Sequence, residues 1–515
     1  MNVSQAEVAL ARPRGRDWAG PVIALLALLA GLWNLAGPAM WWDEGWTLSV
    51  ARNWAERGFY GRLLDGQPAP PGLEAAITVT GPVALSFRLL GVGVWQGRLV
   101  GVLFLAAALL LLYALAARLY SRRIAVGTLF VALLMPMHPQ LHPLIMARQV
   151  LAETPMFAYM LLGYLSMLLA LNRSRRWWAL AMLGWGLGVV TKAQALPFYC
   201  VSLLLPIAVV ALRRRWDLVA WLGASLIGAV LVSCALPPLA RLGLRGHTLP
   251  VVPIDGLYSV TALVLTPFNR LFALQLLLIV GLPTLLGLAY AAWRQLRPAE
   301  PERAPLGVAL VRLAMLGLAG SWLAWYVLLS VGVPRYMFPA TFFGSLFAAL
   351  LLHDLTCGFD LQATLGRAGE LVRGPRRWQA ASTLVLLVLL ALAVSLTLMT
   401  LNRNYIQASD TSAFAVADLL NQAGPGTIET YETELHFLLN RSYHYPPDQL
   451  HVELNRRSLL QEQPRITYDP LVADPEYLVV GRFARENELY QPAIDRGVFR
   501  ELRTIGGYVM YQRVR

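Results

Sequence analysis

Asp43 and Glu44 stand side by side between Trp41-Trp42 and Trp46. Adjacent residues of a helix or strand do not share a face, so one carboxylate is expected to point into a cavity and the other to pair or cap. The same pair also suits the start of a helix, with the tryptophans marking a membrane interface. A second group runs His138-Pro139-Gln140-Leu141-His142, then Arg148 and Glu153-Thr154-Pro155. Arg148 and Glu153 could form a local ion pair, but five positions is a poor helical spacing for one, which weakens that reading. His138 and His142 are candidate ligands for a divalent metal ion should a carboxylate join them; nothing else in the chain points to a cofactor. The third group is Thr191-Lys192-Ala193-Gln194, and Lys192 is the only lysine among 43 basic residues. An ammonium in a short turn between apolar runs suits a phosphate as a compact point charge. The alternative, a snorkelling anchor, would be ordinary if other turns on that side used lysine, and none does. The fourth is Val333-Pro334-Arg335-Tyr336, where Arg335 is a second candidate anion ligand or, equally, part of an interfacial Arg-Tyr anchor. Carboxylates and cations from four separate segments are what is needed to activate a nucleophilic hydroxyl beside an anionic leaving group.

The elements that must gather these residues are set by composition. The chain has 515 residues, 57% hydrophobic and 14% charged. A soluble domain is about 45–50% apolar and about 25% charged, so a water-soluble globule of this composition could not cover its surface. Three cysteines exclude a disulfide scaffold. The net charge of +13 does not indicate nucleic acid, because the arginines are scattered over short loops and form no patch. A multi-pass α-helical membrane protein remains. About eleven spans are read near 19–38, 96–117, 124–138, 150–171, 177–190, 196–212, 217–236, 271–293, 306–330, 337–353 and 379–400, the third and fifth short. With the N-terminus cytoplasmic, the cytoplasmic side collects Arg12, Arg14 and Arg16, then Arg118, Arg122 and Arg123, then Arg173, Arg175 and Arg176. Arg213–Arg215, Arg294, Arg297 and Arg303, and Arg367, Arg373, Arg376 and Arg377 complete the set. Every loop on that side carries at least three, which fixes the orientation and places the C-terminal part outside the cytoplasm. The first span is read as an uncut anchor.

Residues 1–403 are read as the membrane domain, with a long first outer loop at 39–95. Trp46, Val50 and Trp54 at spacing four predict an amphipathic helix lying in the interface. Asp65-Gly66, Pro70-Pro71-Gly72 and Thr80-Gly81-Pro82 predict turns in the rest of the loop. Residues 404–515 carry 15 acids against 11 arginines and are read as a small α/β domain outside the membrane. A helix is expected at 411–422 and strands at 427–431, 477–480 and 508–512.

At these residues the sequence resembles the GT-C superfamily of membrane glycosyltransferases, nearest the protein-mannosyltransferase-like and aminoarabinose-transferase-like families. The likeness is carried by Trp42-Asp43-Glu44, Ala51-Arg52-Asn53 through Gly58-Phe59-Tyr60-Gly61, Thr80-Gly81-Pro82, and Trp95-Gln96-Gly97-Arg98. It continues in Ala147-Arg148 through Glu153-Thr154-Pro155, Thr191-Lys192 and Arg335-Tyr336. The resemblance implies transfer of a hexosyl or pentosyl group from a polyprenyl-phosphate-linked donor to a lipid, glycan or protein acceptor on the outer face of the cell membrane. It implies Asp43 as general base with Glu44 beside it, Glu153 as an auxiliary carboxylate, and Arg148, Lys192 and Arg335, next to Tyr336, as ligands of the lipid phosphate. A single base attacking opposite the leaving group would invert the anomeric centre, by analogy with glycosidases. The competing reading is a transporter or flippase of lipid-linked glycans, for which internal repeats and mid-bilayer charges would be expected and are not found.

Overall fold

A computed structural model describes residues 18–244, 249–250, 252–297, 304–373 and 377–514. Arg12, Arg14, Arg16, Arg303 and Arg376 of the orientation argument, and the side chains of Arg373 and Arg377, lie outside what it describes.

The membrane part runs α1 (Ala19–Leu32), α2 (Trp42–Arg57), a hairpin of β1 (Arg62–Leu64) and β2 (Gln67–Ala69), α3 (Ile77–Leu90), α4 (Val94–Leu119) and α5 (Arg122–Leu134). It continues with α6 (Pro143–Ala147), α7 (Glu153–Asn172), α8 (Trp177–Thr191), α9 (Ala195–Leu212), α10 (Trp216–Gly243) and α11 (Leu257–Thr261). It ends with α12 (Pro267–Leu276), α13 (Leu282–Leu296), α14 (Leu306–Leu329), α15 (Pro334–Leu355), α16 (Leu361–Arg373) and α17 (Arg377–Leu401). Every one of the eleven expected spans coincides with a helix. Among the described residues eight helical stretches are long and apolar enough to cross a membrane, α12 and α13 counting as one through a π-helical turn. The other three, α1, α5 and α8, have 14, 13 and 15 residues. At 1.5 Å per residue they reach about 20–23 Å, short of a bilayer core of about 30 Å.

Helices that are apolar all round belong in the centre of a bundle or in lipid. α7 and α15 take the centre: Phe157 of α7 stacks on Phe342 of α15 at 4.3 Å and meets Phe338 edge-on at 4.9 Å. α10 and α17 take the outside, with Ile227, Leu231, Val388 and Leu389 exposed.

Two expectations for the first outer loop are corrected. The helix through Trp46 and Val50 does not lie on a membrane surface; both residues are buried, because α3 and the C-terminal domain cover α2 from two sides. Residues 77–90 are helical straight through Gly81-Pro82. Proline inside a membrane-embedded helix is tolerated when neighbours take up the freed backbone groups. Asp65-Gly66 is a turn as expected, both residues at positive φ between β1 and β2.

The C-terminal domain contains α18 (Ser412–Gln422), β3 (Ile428–Thr430), α19 (Thr433–Leu438), β4 (Tyr443–His444), α20 (Asp448–Leu460) and β5 (Tyr477–Val480). After these come α21 (Arg482–Glu486), α22 (Gln491–Asp495), β6 (Phe499–Ile505) and β7 (Tyr508–Arg513). The sheet order is β4-β3-β5-β7-β6, with β3 parallel to β4 and β5, and β7 antiparallel to β5 and β6. The helix and the three strands expected there are present; β4, β6 and the other helices were not foreseen. Each face of the sheet completes its core with residues of the segment between α1 and α3. Trp42 and Trp46 join Tyr431, Leu478 and Phe499 on one face, and Leu63 joins Val416, Ile428 and Met510 on the other.

Candidate active site

Four charged side chains from four segments meet at one end of the bundle. Asp43 is in the first turn of α2, Glu153 begins α7, Lys192 caps the C-terminus of α8, and Arg335 is in the first turn of α15. Arg335 Nη1 donates to Asp43 Oδ2 at 2.5 Å and its Nε to Glu153 Oε1 at 2.7 Å. Lys192 Nζ donates to the same Glu153 oxygen at 2.8 Å. The Tyr336 ring lies beside them, its centroid 6.0 Å from Lys192 Nζ. Gln140, unmarked by any sequence signal, adds its Oε1 as acceptor for the Arg335 backbone N–H at 3.3 Å.

Packing one turn below brings these groups together. Glu153 and Phe157 are four apart and share a face of α7, as do Arg335 and Phe338 on α15. The Phe157–Phe338 contact therefore sets Glu153 against Arg335. α8 approaches α7 at a glycine crossing: a Cβ on Gly184 would lie 2.9 Å from the Gly163 backbone nitrogen. Thr191 Oγ1 donates to Thr78 Oγ1 of α3 at 2.8 Å, fixing the end of α8 from which Lys192 reaches out. Just before α7, Val150 sits at φ +47°, a conformation costly for a β-branched residue, in the turn that delivers Glu153.

α2 is held by the C-terminal domain. Trp42 Nε1 donates to the Tyr431 carbonyl at 3.0 Å, and Thr433 Oγ1 donates to the Trp42 carbonyl. The Trp42 ring stacks on His451 at 4.5 Å. Gly45 is required here, because a Cβ would stand 2.2 Å from the Thr433 backbone carbon. Glu432 and Glu434 flank that contact and are buried; desolvation raises both carboxyls, and their mutual repulsion lifts Glu432 further.

Burial grades across the cluster. Glu153 is 1% exposed at its side chain, Lys192 11%, Arg335 18% and Asp43 34%. Glu153 Oε2 is buried without a hydrogen-bond partner. The inner members thus form a fixed floor, and Asp43 is the member most open to an incoming molecule. Two cations and two carboxylates balance, so an added phosphate must compete with Asp43 and Glu153 for Lys192 and Arg335.

The structure does not bring Glu44 or Arg148 into this cluster. Glu44 turns to the opposite side of α2, as expected for one of two adjacent carboxylates, and pairs with Arg98 through both oxygens at 2.7 and 2.9 Å. It also accepts the Trp41 backbone N–H, closing the start of the helix. Arg98 spends its remaining donors on the Leu35, Pro38 and Ala39 carbonyls, so this buried pair ties the end of α1 to α2 and α4. Arg148 lies flat on Tyr405, 3.1 Å from the ring centroid, with Nη2 directed at the Trp33 and Tyr405 carbonyls. His138 and His142 act as helix caps: their Nδ1 atoms accept from the Gln140 and Leu144 backbone N–H groups, and His142 Nε2 bonds the Leu133 carbonyl. Both ring nitrogens of His142 are thus committed. Among the described residues no group of three or more His, Cys, Asp or Glu side chains is placed to hold a metal ion.

A family model described as dolichyl-phosphate-mannose-protein mannosyltransferase matches residues 82–237. No curated protein matches by sequence. The chain superposes on ArnT from Cupriavidus metallidurans bound to undecaprenyl phosphate, with a TM-score of 0.65 at 14% identity over 96% of this chain and 97% of that one. The chain has the GT-C fold. The same enzyme without ligand gives a TM-score of 0.62 at 16% identity, over the same shares of both chains. The GT-C fold is shared as well with the archaeal oligosaccharyltransferase AglB from Archaeoglobus fulgidus, solved with an inhibitory peptide and a dolichol-phosphate. Its TM-score is 0.58 at 13% identity, over 92% of this chain and 71% of that one.

Proposed function

We propose that the chain is a glycosyltransferase that moves a sugar from a polyprenyl-phosphate donor to a hydroxyl acceptor on the extracytoplasmic side of the membrane. The observation that carries this reading is the meeting of Lys192 and Arg335 with Asp43 and Glu153 at one end of an apolar bundle. The GT-C fold supports it, as do the undecaprenyl phosphate of the ArnT structure and the dolichol-phosphate of the AglB structure. The isoprenoid chain stays in lipid while its phosphate sits between Lys192 and Arg335. On arrival it draws Arg335 Nη1 away from Asp43, which leaves the most exposed carboxylate of the cluster free as a base.

The acceptor oxygen then attacks the anomeric carbon, and the bond from that carbon to the phosphate oxygen breaks. Its electron pair leaves on the carrier phosphate, where Lys192 and Arg335 stabilise the growing charge. The acceptor proton passes to Asp43. Attack opposite the leaving group inverts the anomeric centre. Glu153 holds both cations at fixed spacing and does not touch the proton.

In membranes supplied with labelled polyprenyl-phosphate sugar, Asp43→Asn is expected to lower transfer by about 10²–10⁴-fold, the usual worth of a general base. Carrier binding should remain. Undiminished turnover in that variant overturns the assignment of the base.

A further inference from the structure

The bundle carries a cavity remote from the cluster. It has a volume of about 660 Å³ and is lined by Arg122, Arg123, Val126 and Phe130 of α5, Leu352 of α15, Phe359 of the following turn, and Leu387 and Leu390 of α17. Leu352 is 17 residues along α15 from Arg335, about 26 Å away at 1.5 Å per residue. That is close to the thickness of a bilayer core, so the cavity opens at the opposite membrane surface. Trp378, 90% exposed at the start of α17, stands where an interfacial tryptophan belongs. Leu387 and Leu390 lie about 14–18 Å further along α17, so the cavity runs from headgroup level to the middle of the bilayer.

Three features make this a built site. The turn after α15 takes three left-handed residues in succession, Cys357 at φ +51°, Gly358 at +77° and Phe359 at +63°. Two of these are costly for side-chain-bearing residues. The turn lays the Phe359 ring against α5 at Gly127, where a Cβ would meet it at 2.6 Å, and brings Gly358 beside Arg123, whose Nη1 would lie 3.8 Å from a Cβ there. Next, α16 leaves Leu361 and Leu365 exposed while burying Thr364, an apolar edge turned away from protein beside the cavity. Finally, Arg123 is exposed at the mouth, and the one acid among the described lining residues, Asp360, is engaged in capping α16 through the Ala363 backbone N–H.

We propose that this cavity seats an anionic phospholipid of the leaflet opposite the Asp43 cluster. Its phosphate rests on Arg123 and one acyl chain lies between α5, α15 and α17. The charge at the rim and the apolar depth below it match a phosphodiester headgroup above a hydrocarbon chain.

The test is native mass spectrometry of the delipidated full-length protein, titrated with phosphatidylglycerol and with phosphatidylcholine. The wild type should retain phosphatidylglycerol more tightly. Arg123→Gln should weaken it about five-fold, the worth of one arginine near an anionic headgroup, without changing phosphatidylcholine retention or sugar transfer. Val126→Trp, which fills the apolar depth, should weaken both lipids at this site. Deletion of residues 2–17 should leave phosphatidylglycerol affinity unchanged. Equal retention of the two lipids by the wild type, an Arg123→Gln variant that binds phosphatidylglycerol as well as the wild type, or affinity gained on the deletion each overturns the proposal.

Discussion

Replacing Arg335 by lysine keeps the charge of the cluster and removes its geometry. Arg335 spans two carboxylates with two different nitrogens, Nη1 to Asp43 at 2.5 Å and Nε to Glu153 at 2.7 Å. The three donors of a lysine radiate from a single nitrogen and cannot span two partners set as far apart as Nη1 and Nε reach. Hydrogen bonds to charged groups are worth about 1.5–3 kcal/mol. In the proposed transition state the guanidinium holds Glu153 and the carrier phosphate at once; at about 1.4 kcal/mol per tenfold, the loss of one such bond lowers kcat/KM by roughly 10- to 150-fold. The assay is single-turnover transfer of label from a polyprenyl-phosphate sugar pool by protein purified in detergent, with thermal unfolding of the same sample as a folding control. Arg335→Lys should unfold within a few degrees of the wild type, because Lys192 still compensates Glu153. If Arg335→Lys transfers sugar as fast as the wild type, the guanidinium geometry has no part in the reaction and the mechanism fails.

Glu44→Ala leaves Arg98 buried and unpaired, and breaking a buried pair costs about 3–5 kcal/mol; a large fall in Tm and in membrane yield is expected, and a normal melt would show that the pair carries no structural load. Gly45→Ala drives a methyl group into the Thr433 backbone, so transfer should fall although no charged group is touched; an unaltered rate would mean that the C-terminal domain does not seat α2. Burial holds Glu432 and Glu434 above the ordinary carboxylate range. Their stabilising protonated forms are fully present below the unfolded value of about 4.3 and are lost as pH rises through the folded values. The Tm of the full-length protein should therefore drop between about pH 5 and pH 8, and Glu432→Gln should flatten that slope; an equally steep slope in the variant would contradict the assignment.

Most of the bundle was legible because apolar length is a local property, and each expected span has its helix. The solitary Lys192 stood out by type alone, and Asp43, Glu153 and Arg335 by placing charge where apolar runs end. What the sequence concealed depends on direction. Glu44 carries a carboxylate like that of Asp43 one residue away, yet faces Arg98. Arg148 is five positions from Glu153, but the left-handed Val150 lies between them and Arg148 turns to Tyr405, 257 residues later in the chain. Gly81-Pro82 read as a turn because local propensity takes no account of the neighbours that pack against α3. The seating of α2 on Tyr431 and Thr433 joins residues almost 400 positions apart, and no local pattern announces such a contact.

The central claim is that Lys192 and Arg335 hold the carrier phosphate and in doing so release Asp43. A structure of the protein with bound polyprenyl phosphate tests it most directly. The phosphate should lie within hydrogen-bond reach of Lys192 Nζ and the Arg335 guanidinium, with Asp43 no longer bonded to Nη1. A phosphate bound elsewhere, with the Asp43–Arg335 pair intact, would contradict the account.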